Sequence, residues 1–411
     1  MRHYKDWIDA CTDAVPGKTV PLLFRRWVPL AAIGAAMGRA VWYNHGDWSC
    51  PANLYIVLVG PPASGKTTAL TLPIDLVFDK LTEPLAASIK DREAAQLTWQ
   101  KYMPDEWSLP RHVINGRITY EKLCRNLSRV QRRIERTTDG RMEASLLIRT
   151  GEFGAFMSKF DKDLHMLLTD GWDAGKNYTY DTKNAGTDYV QGPCLTWIAC
   201  ATPTEFIAHM PPNAGDQGLL SRVIPVVYTG AQIAPERKTD DFNGETVEKL
   251  AEDLGQIAQI TGEFKFDKAA AELIDKWLEE GSKPLPTEAT MNDYNGRRLS
   301  HLFKMSMCFS AARDDKRVIE AQDWLNAQDL LFETEKYMPF LLRRFGMSEA
   351  GKLADGLVDF VKVSGGRVGK KAMRREAMRR AKSISDIEKT LDLLVESGTL
   401  ELQDDLYKSK T

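Results

Sequence analysis

The sequence predicts an α/β fold, and three observations carry that prediction. Short apolar runs at 54–59, 145–148, 194–201 and 223–228 read as buried strands. Stretches of helical periodicity separate and follow them. Between the first strand and a helix start lies Gly60-Pro61-Pro62-Ala63-Ser64-Gly65-Lys66-Thr67-Thr68. Composition then divides the chain into four parts: a helical N-terminal segment (1–50), an α/β core (51–230), a helical lid (231–346) and a small basic winged-helix-like domain (347–411).

The glycine loop has the pattern G-x-x-x-x-G-K-[ST], and it sits between a strand and a helix, the context in which that pattern has meaning. Gly60 and Gly65 let backbone N–H groups turn inward as an anion-binding nest at a helix start. Lys66 is placed to reach the β- and γ-phosphates of a nucleotide, and the Thr67 hydroxyl to ligate Mg²⁺. The core is therefore read as a P-loop nucleotide-binding domain, with ATP and Mg²⁺ as its cofactors.

The chain has 411 residues, long enough for several modules. A net charge of −2 excludes a global drive toward nucleic acid or anionic membranes, so any basic surface must be local. Six scattered cysteines without a C-x-x-C pair read as reduced thiols of a cytoplasmic protein, not as a zinc site. The apolar stretch 27–42 is too short to span a bilayer and is flanked by arginines; it reads as a buried helix packed on the core, and no membrane association is expected.

Taken in order, residues 1–50 read as helices ending in a loop. Helices are expected over 83–102, from Thr119 through Arg133, and over 156–173, with a short strand at 112–114. The strand at 145–148 leads to Glu152. A P-loop ATPase needs carboxylates at the end of such a strand, one for the metal shell and one to polarise water. Gly151 stands where the metal-shell carboxylate is expected, so Glu152 becomes the candidate base and a candidate for the metal shell too. Strand-forming 177–182 and 187–190 flank Lys183-Asn184, a β-hairpin with those two residues at its tip. Lys183, Asn184 and Tyr180 are candidate contacts to a nucleic-acid strand, through charge and stacking; an ordinary surface hairpin is the alternative.

The strand 194–201 ends at Thr202, whose hydroxyl is placed to orient the lytic water. Arg222, just before strand 223–228, is a candidate arginine finger aimed at a neighbouring subunit. Arg297, near the start of a long helix beginning in 295–304, is a candidate phosphate contact. The last module carries Arg367, Lys370, Lys371, Arg374, Arg375, Arg379, Arg380 and Lys382 against Glu376, eight minus one, or +7 locally. That density, in Lys370, Lys371, Arg374 and Arg375 above all, is the footprint of phosphate-backbone binding.

This order of parts resembles an AAA+ ATPase, in particular the minichromosome-maintenance and superfamily-3 helicases. Leu219-Leu220-Ser221-Arg222 resembles their arginine-finger motif. Ala199-Cys200-Ala201-Thr202-Pro203 resembles the sensor-1 strand, with threonine where asparagine is usual. Arg297-x-Leu299-x-x-Leu302-x-Lys304 resembles the sensor-2 helix, and the hairpin precedes sensor 1 as in those helicases. Asn53-Leu54-Tyr55, Trp172-Asp173-Ala174-Gly175 and the lysine-bearing lid helix bring the layout closer to a family of phage, plasmid and prophage replication ATPases often fused to primases. The resemblance covers about 20–345. It implies a hexameric, ATP-driven DNA helicase or translocase in the cytoplasm of a bacterial host, acting on DNA, single-stranded first and duplex as a second form, with a primase or other replication proteins as partners. An ATP-switched initiator or helicase loader without motor activity is the alternative that Gly151 keeps open, and a small-molecule kinase is a further one.

Overall fold

The computed structural model describes residues 2–15, 20–46, 48–82, 113–134, 141–157, 161–175, 177–182, 186–210, 218–230, 242–288, 291–342, 349–380 and 383–409. The helix expected over 83–102, Lys183, Asn184 and most of the polar boundary at 230–246 lie outside them. The chain divides into two compact units, Met1–Leu341 and Leu342–Thr411.

The first unit opens with helices Trp7–Ala14 and Leu22–Met37. The second is buried along nearly its whole length and packs on both the core strands and the C-terminal helices. Pro29 inside it has no N–H for the Arg25 carbonyl. The Thr12 hydroxyl donates to that carbonyl instead, at 3.2 Å, and so ties the two helices together. Where the sequence reads a loop before residue 50, the chain forms a hairpin of β1 (Val41–His45) and β2 (Trp48–Cys50).

The core strands are β3 (Tyr55–Val59), β4 (Val113–Asn115), β5 (Arg132–Arg133) and β6 (Met142–Thr150), then the hairpin β7 (Tyr178–Thr182) and β8 (Gly186–Val190), then β9 (Pro193–Ala201) and β10 (Val223–Val227). Five of them form a parallel sheet in the order β10-β3-β9-β6-β4, with β5 antiparallel beside β6. Every residue of β3, β9 and β10 is buried, as expected of parallel strands covered on both faces. β9 enters between β3 and β6, although it follows both in sequence.

Three helix expectations shift. The helix expected from Thr119 through Arg133 ends at Val130, and Arg132–Arg133 pair with β6 as β5 instead. Residues 153–173 form a short turn, Phe153–Phe156, and a separate helix, Lys162–Asp173, capped by the Asp161 carboxylate on the Leu164 N–H. Arg297 lies just outside its long helix, Arg298–Arg313, as its N-cap residue.

The helices Gly244–Ile257, Lys268–Glu279, Arg298–Arg313 and Ala321–Glu335 complete the unit. Short strands β11 (Gly262–Glu263), β12 (Lys265–Phe266) and β13 (Val318–Ile319) stitch them to each other and to β1. The Trp7 and Trp27 indole N–H groups donate to Leu250 O and Thr334 Oγ1, at 2.9 and 2.8 Å. These buried donors fasten the N-terminal helices to the lid.

The second unit runs as helix Glu349–Val363, β14 (Arg367–Gly369), helix Lys370–Arg380, helix Ile384–Glu396, β15 (Leu400–Gln403) and β16 (Leu406–Ser409). The strands form an antiparallel sheet in the order β14-β16-β15. Leu357, Val361, Met373, Ala377, Leu391 and Tyr407 are central to its core. Among the described residues, no helix is long and apolar enough to cross a membrane.

Candidate functional site

The glycine loop leaves the C-terminal end of β3 and is pinned there by the Gly60 N–H on Ala201 O at 3.1 Å. Gly65, at φ 78°, turns the chain in the left-handed region and starts the helix Lys66–Leu70. A Cβ on Gly60 would meet Ser64 Oγ at 2.6 Å, so the loop closes tightly on itself. Lys66 Nζ donates to the carbonyls of Gly60 and Pro61 at 2.8 and 2.7 Å and to Ser64 Oγ at 3.3 Å. The ammonium is thus folded over its own loop on carbonyls that phosphate oxygens can replace. Burial lowers the Lys66 pKa, while the nearby Cys200 and Glu205 oppose that shift. Pro62, Ala63 and Thr67 are exposed at the loop mouth, and Thr68 is half-buried behind it.

The residues present fit a magnesium nucleotide in part. The loop supplies an anion cradle, a cation and a threonine hydroxyl. Among the described residues no three His, Cys, Asp or Glu side chains are grouped to hold a metal. A cation here would take most of its ligands from phosphate and water, as Mg²⁺ does.

Thr202 and Glu152 emerge at the same edge of the sheet, beyond β9 and β6. Glu152 is exposed as the N-cap residue of Phe153–Phe156, without a capping bond from its side chain. Gly151 needs no special conformation: a Cβ there would meet only Arg149 Nη1, at 3.6 Å. The Thr202 hydroxyl caps the helix Pro203–His209 by accepting the Glu205 N–H at 3.2 Å, which leaves its own proton to donate elsewhere. Glu205, which the sequence reading passed over, returns the capping box by accepting the Thr202 N–H at 3.3 Å. Its other oxygen accepts the Gly154 N–H at 2.8 Å.

Beside the loop, a cavity of about 550 Å³ is lined by Leu22, Leu23, Arg26, Tyr228, Thr229 and Tyr337 among others. Tyr228 N–H donates to Val59 O at 2.8 Å, so the cavity wall is continuous with the strand that carries the loop. Its size and apolar lining suit a small organic ligand.

Arg222 and Arg297 are elsewhere. Arg222 precedes Val223, which pairs with Tyr55 at the entry of β3. The glycine loop follows the other end of β3, about 15 Å away at the usual rise per residue. Rather than being exposed toward a neighbour, Arg222 is buried: Nη1 donates to Gly218 O at 2.6 Å and Nη2 to Asp173 Oδ2 at 2.5 Å. Gly218 offers this carbonyl at φ 70°, and a Cβ there would meet Arg222 Nη1 at 2.7 Å. Arg297 Nη1 approaches Asp173 Oδ1 at 3.8 Å. Burial lowers the Arg297 pKa, and the adjacent Arg222 lowers it further. Arg298, one residue on, is structural: it grips Glu335 with Nε and Nη2 at 2.7 and 2.8 Å and also donates to Ser282 O and Pro284 O.

Under this cluster Lys304 is fully buried. Nζ donates to Asn53 Oδ1 at 2.6 Å and to Pro51 O and Trp172 O at 3.1 Å, and lies 4.1 Å from the Trp172 ring centroid. The Asn53 amide donates in turn to the carbonyls of Gly171, Trp172 and Leu195. Asn53, Trp172 and Lys304, three marks spread over 250 residues of sequence, thus form one polar knot at the entry of β3 and β9. Burial lowers the Lys304 pKa.

The hairpin arms stand against helix Tyr120–Val130. Tyr178 OH bonds Tyr120 OH, and the Tyr180 ring meets Tyr120 edge-on at 5.1 Å. Tyr180 is therefore engaged by its own chain, and Tyr189 is the exposed ring of the arms. Lys183 and Asn184 lie outside the described residues. In the second unit Lys370 approaches Asp405 at 3.8 Å and Arg374 approaches Glu388 at 3.4 Å, while Lys371 and Arg375 are exposed on the same helix.

No protein-family model matches the chain, and no match is found among curated proteins. The functional reading therefore rests on the residues and their geometry.

Proposed function

We propose that this chain is an AAA+-type P-loop ATPase that assembles head to tail as a hexameric ring and drives DNA unwinding or translocation in phage or mobile-element replication. The observation that supports it most is the opposed placement of two half-sites. Lys66, Thr67, Thr202 and Glu152 gather at the C-terminal edge of the sheet, while Arg222 and Arg297 gather at the N-terminal edge. An arginine of one copy then meets the glycine loop of the next, a head-to-tail contact that closes into a ring.

In this reading Lys66 and the loop N–H groups hold the phosphates, and Thr67 with an acidic partner holds Mg²⁺. Bound Mg²⁺ would neutralise charge on the phosphate oxygens. Glu152 accepts the proton of the attacking water, and the free Thr202 proton orients it. The cavity at Leu22 and Tyr228 takes the nucleobase. The hairpin carrying Lys183 and Asn184 and the basic helix Lys370–Arg380 contact DNA, the second unit having the three helices and small sheet of a winged helix. The site of action is the bacterial cytoplasm, with a primase as a partner.

The test is ATP hydrolysis with and without single-stranded DNA, for the wild type, Lys66→Ala and Lys183→Ala. The motor reading expects stimulation by DNA that Lys183→Ala loses while basal turnover stays. Gly151 favours a second reading, an ATP-switched initiator or loader; negligible turnover with intact ATP binding would select it.

A further inference from the structure

Gly151 leaves β6 without a metal-shell carboxylate, and Glu205 stands at the same edge. Gly60 N–H donates to Ala201 O; Thr202, the next residue, donates to Glu205 Oε2; Gly154, two residues past Glu152, donates to Glu205 Oε1. The carboxylate therefore lies where the glycine loop, the Thr202 turn and the Glu152 loop meet. In the segments 149–157 and 200–210, the acidic residues are Glu152 and Glu205.

Helix capping accounts for only part of this residue. A capping box accepts Gln at that position as well as Glu, because the Thr202 N–H needs an acceptor and not a charge. The Gly154 N–H has the same requirement. A full negative charge close enough to act on the Lys66 ammonium exceeds what either bond asks for. The carboxylate also keeps acceptor capacity beyond its two N–H donors.

We propose that Glu205 supplies the carboxylate that Gly151 lacks, holding the divalent cation of a bound nucleotide together with Thr67. This rests on the nucleotide-binding reading of the glycine loop and adds the residue that completes its metal side. Glu205 thereby has two tasks. It braces the Glu152 loop against the Thr202 turn, and its charge faces the cation.

The two tasks separate by substitution. Glu205→Gln keeps an acceptor for the cap and removes the charge. Gly151→Asp restores a carboxylate at the β6 terminus, where the backbone and the space around Gly151 admit a side chain. The experiment is calorimetric binding of ATPγS to the full chain over a Mg²⁺ titration, with thermal melting of each variant alongside. Glu205→Gln is expected to bind ATPγS without Mg²⁺ as the wild type does, and to need about tenfold more Mg²⁺ or higher for the same gain in affinity. Gly151→Asp combined with Glu205→Gln is expected to recover the wild-type Mg²⁺ dependence, whatever the melting temperature of the single variant. A Glu205→Gln chain that titrates with Mg²⁺ like the wild type overturns the proposal and leaves Glu205 a brace. So does a double variant that stays as weak as the single one. A wild-type chain that binds no ATPγS overturns the nucleotide reading itself, an outcome distinct from both.

Discussion

Arg222 Nη2 lies 2.5 Å from one oxygen of the Asp173 carboxylate, and Arg297 Nη1 lies 3.8 Å from the other. Two guanidinium groups on one carboxylate leave a net positive charge at this edge of the sheet. The Trp172 ring lies beneath both, with Arg222 Cζ 5.6 Å and Arg297 Cζ 6.0 Å from its centroid. Such a cluster is held in place within its own chain yet still attracts an anion from outside. A phosphate that engages Arg222 has to compete with Asp173 for it.

The opposed half-sites make a mixing experiment decisive. Lys66→Ala removes the phosphate cation at one edge, and Arg297→Ala removes a guanidinium at the other. Each variant alone is expected to lose hydrolysis, by roughly a thousandfold for the arginine if it acts as a finger. An equal mixture recovers part of the activity, because some interfaces pair an intact loop with an intact arginine. Steady-state turnover of the mixture is the readout; a mixture as inactive as its components places both groups in one chain's site.

Lys304 is predicted to be a stability determinant whose effect is independent of nucleotide. Its ammonium is compensated by oxygens and a ring face, with no carboxylate bonded to it in the network described. Truncation to Ala takes the lysine donor from the Asn53 oxygen and the Pro51 carbonyl, while Trp172 O keeps the Asn53 amide, and is expected to cost about 3 kcal/mol or more, in the range for breaking a buried charged network. Urea denaturation measures it. Lys304→Met fills the same volume without a charge to bury and is expected to cost less than Ala.

Much of the α/β core was legible because buried parallel strands are written as unbroken apolar runs, as in 54–59 and 194–201. The glycine loop was legible because the phosphate binding proposed for it fixes residue types at fixed spacing. Asp173 and Glu205 were harder to see. Asp173 sits within the Trp172–Gly175 motif but gains a role only where the fold brings Arg222 and Arg297, 49 and 124 positions away by their numbers, to its two oxygens. Glu205 carried a local signal, Thr202-x-x-Glu205, but a capping box announces a helix start and says nothing about a neighbouring loop. The inward turn of the Arg222 guanidinium is hidden in the sequence for the same reason: no local pattern reports it.

His301 sets an acid limit on stability. Its ring lies between Tyr294 and Trp172, and as a carbonyl can only accept, Nε2 carries the proton donated to Ser221 O at 2.9 Å. Burial lowers its pKa to about 3, and the Lys304, Arg297 and Arg222 cations lower it too. The unfolded chain, with an imidazole near 6.5, binds a proton over this interval that the folded chain refuses. Stability from this residue is present above about pH 6.5 and falls as pH drops toward 3, by about 4 kcal/mol across the window. Melting curves between pH 7 and 4 are expected to show a shallower slope for His301→Phe than for the wild type. Equal slopes would assign the acid sensitivity to other groups.

The basic helix of the second unit predicts a salt dependence. Lys371 and Arg375 are exposed on Lys370–Arg380, whereas Lys370 and Arg374 have carboxylates nearby. Two unengaged cations that each meet a phosphate displace about two counterions on binding DNA. The slope of log K against log salt is then expected to shrink by about 1.8 for duplex DNA in the Lys371→Ala, Arg375→Ala double variant. The loss should be the same for unrelated sequences, because backbone contacts carry no base information. Replacing Lys370 and Arg374 instead is expected to change the slope less, since their charge is partly spent on Asp405 and Glu388. Anisotropy titrations of the full chain between about 50 and about 200 mM salt, a fourfold range, decide it. An unchanged slope in the first double variant would remove this helix from the proposed DNA-binding surface and leave the hairpin as the remaining proposed contact.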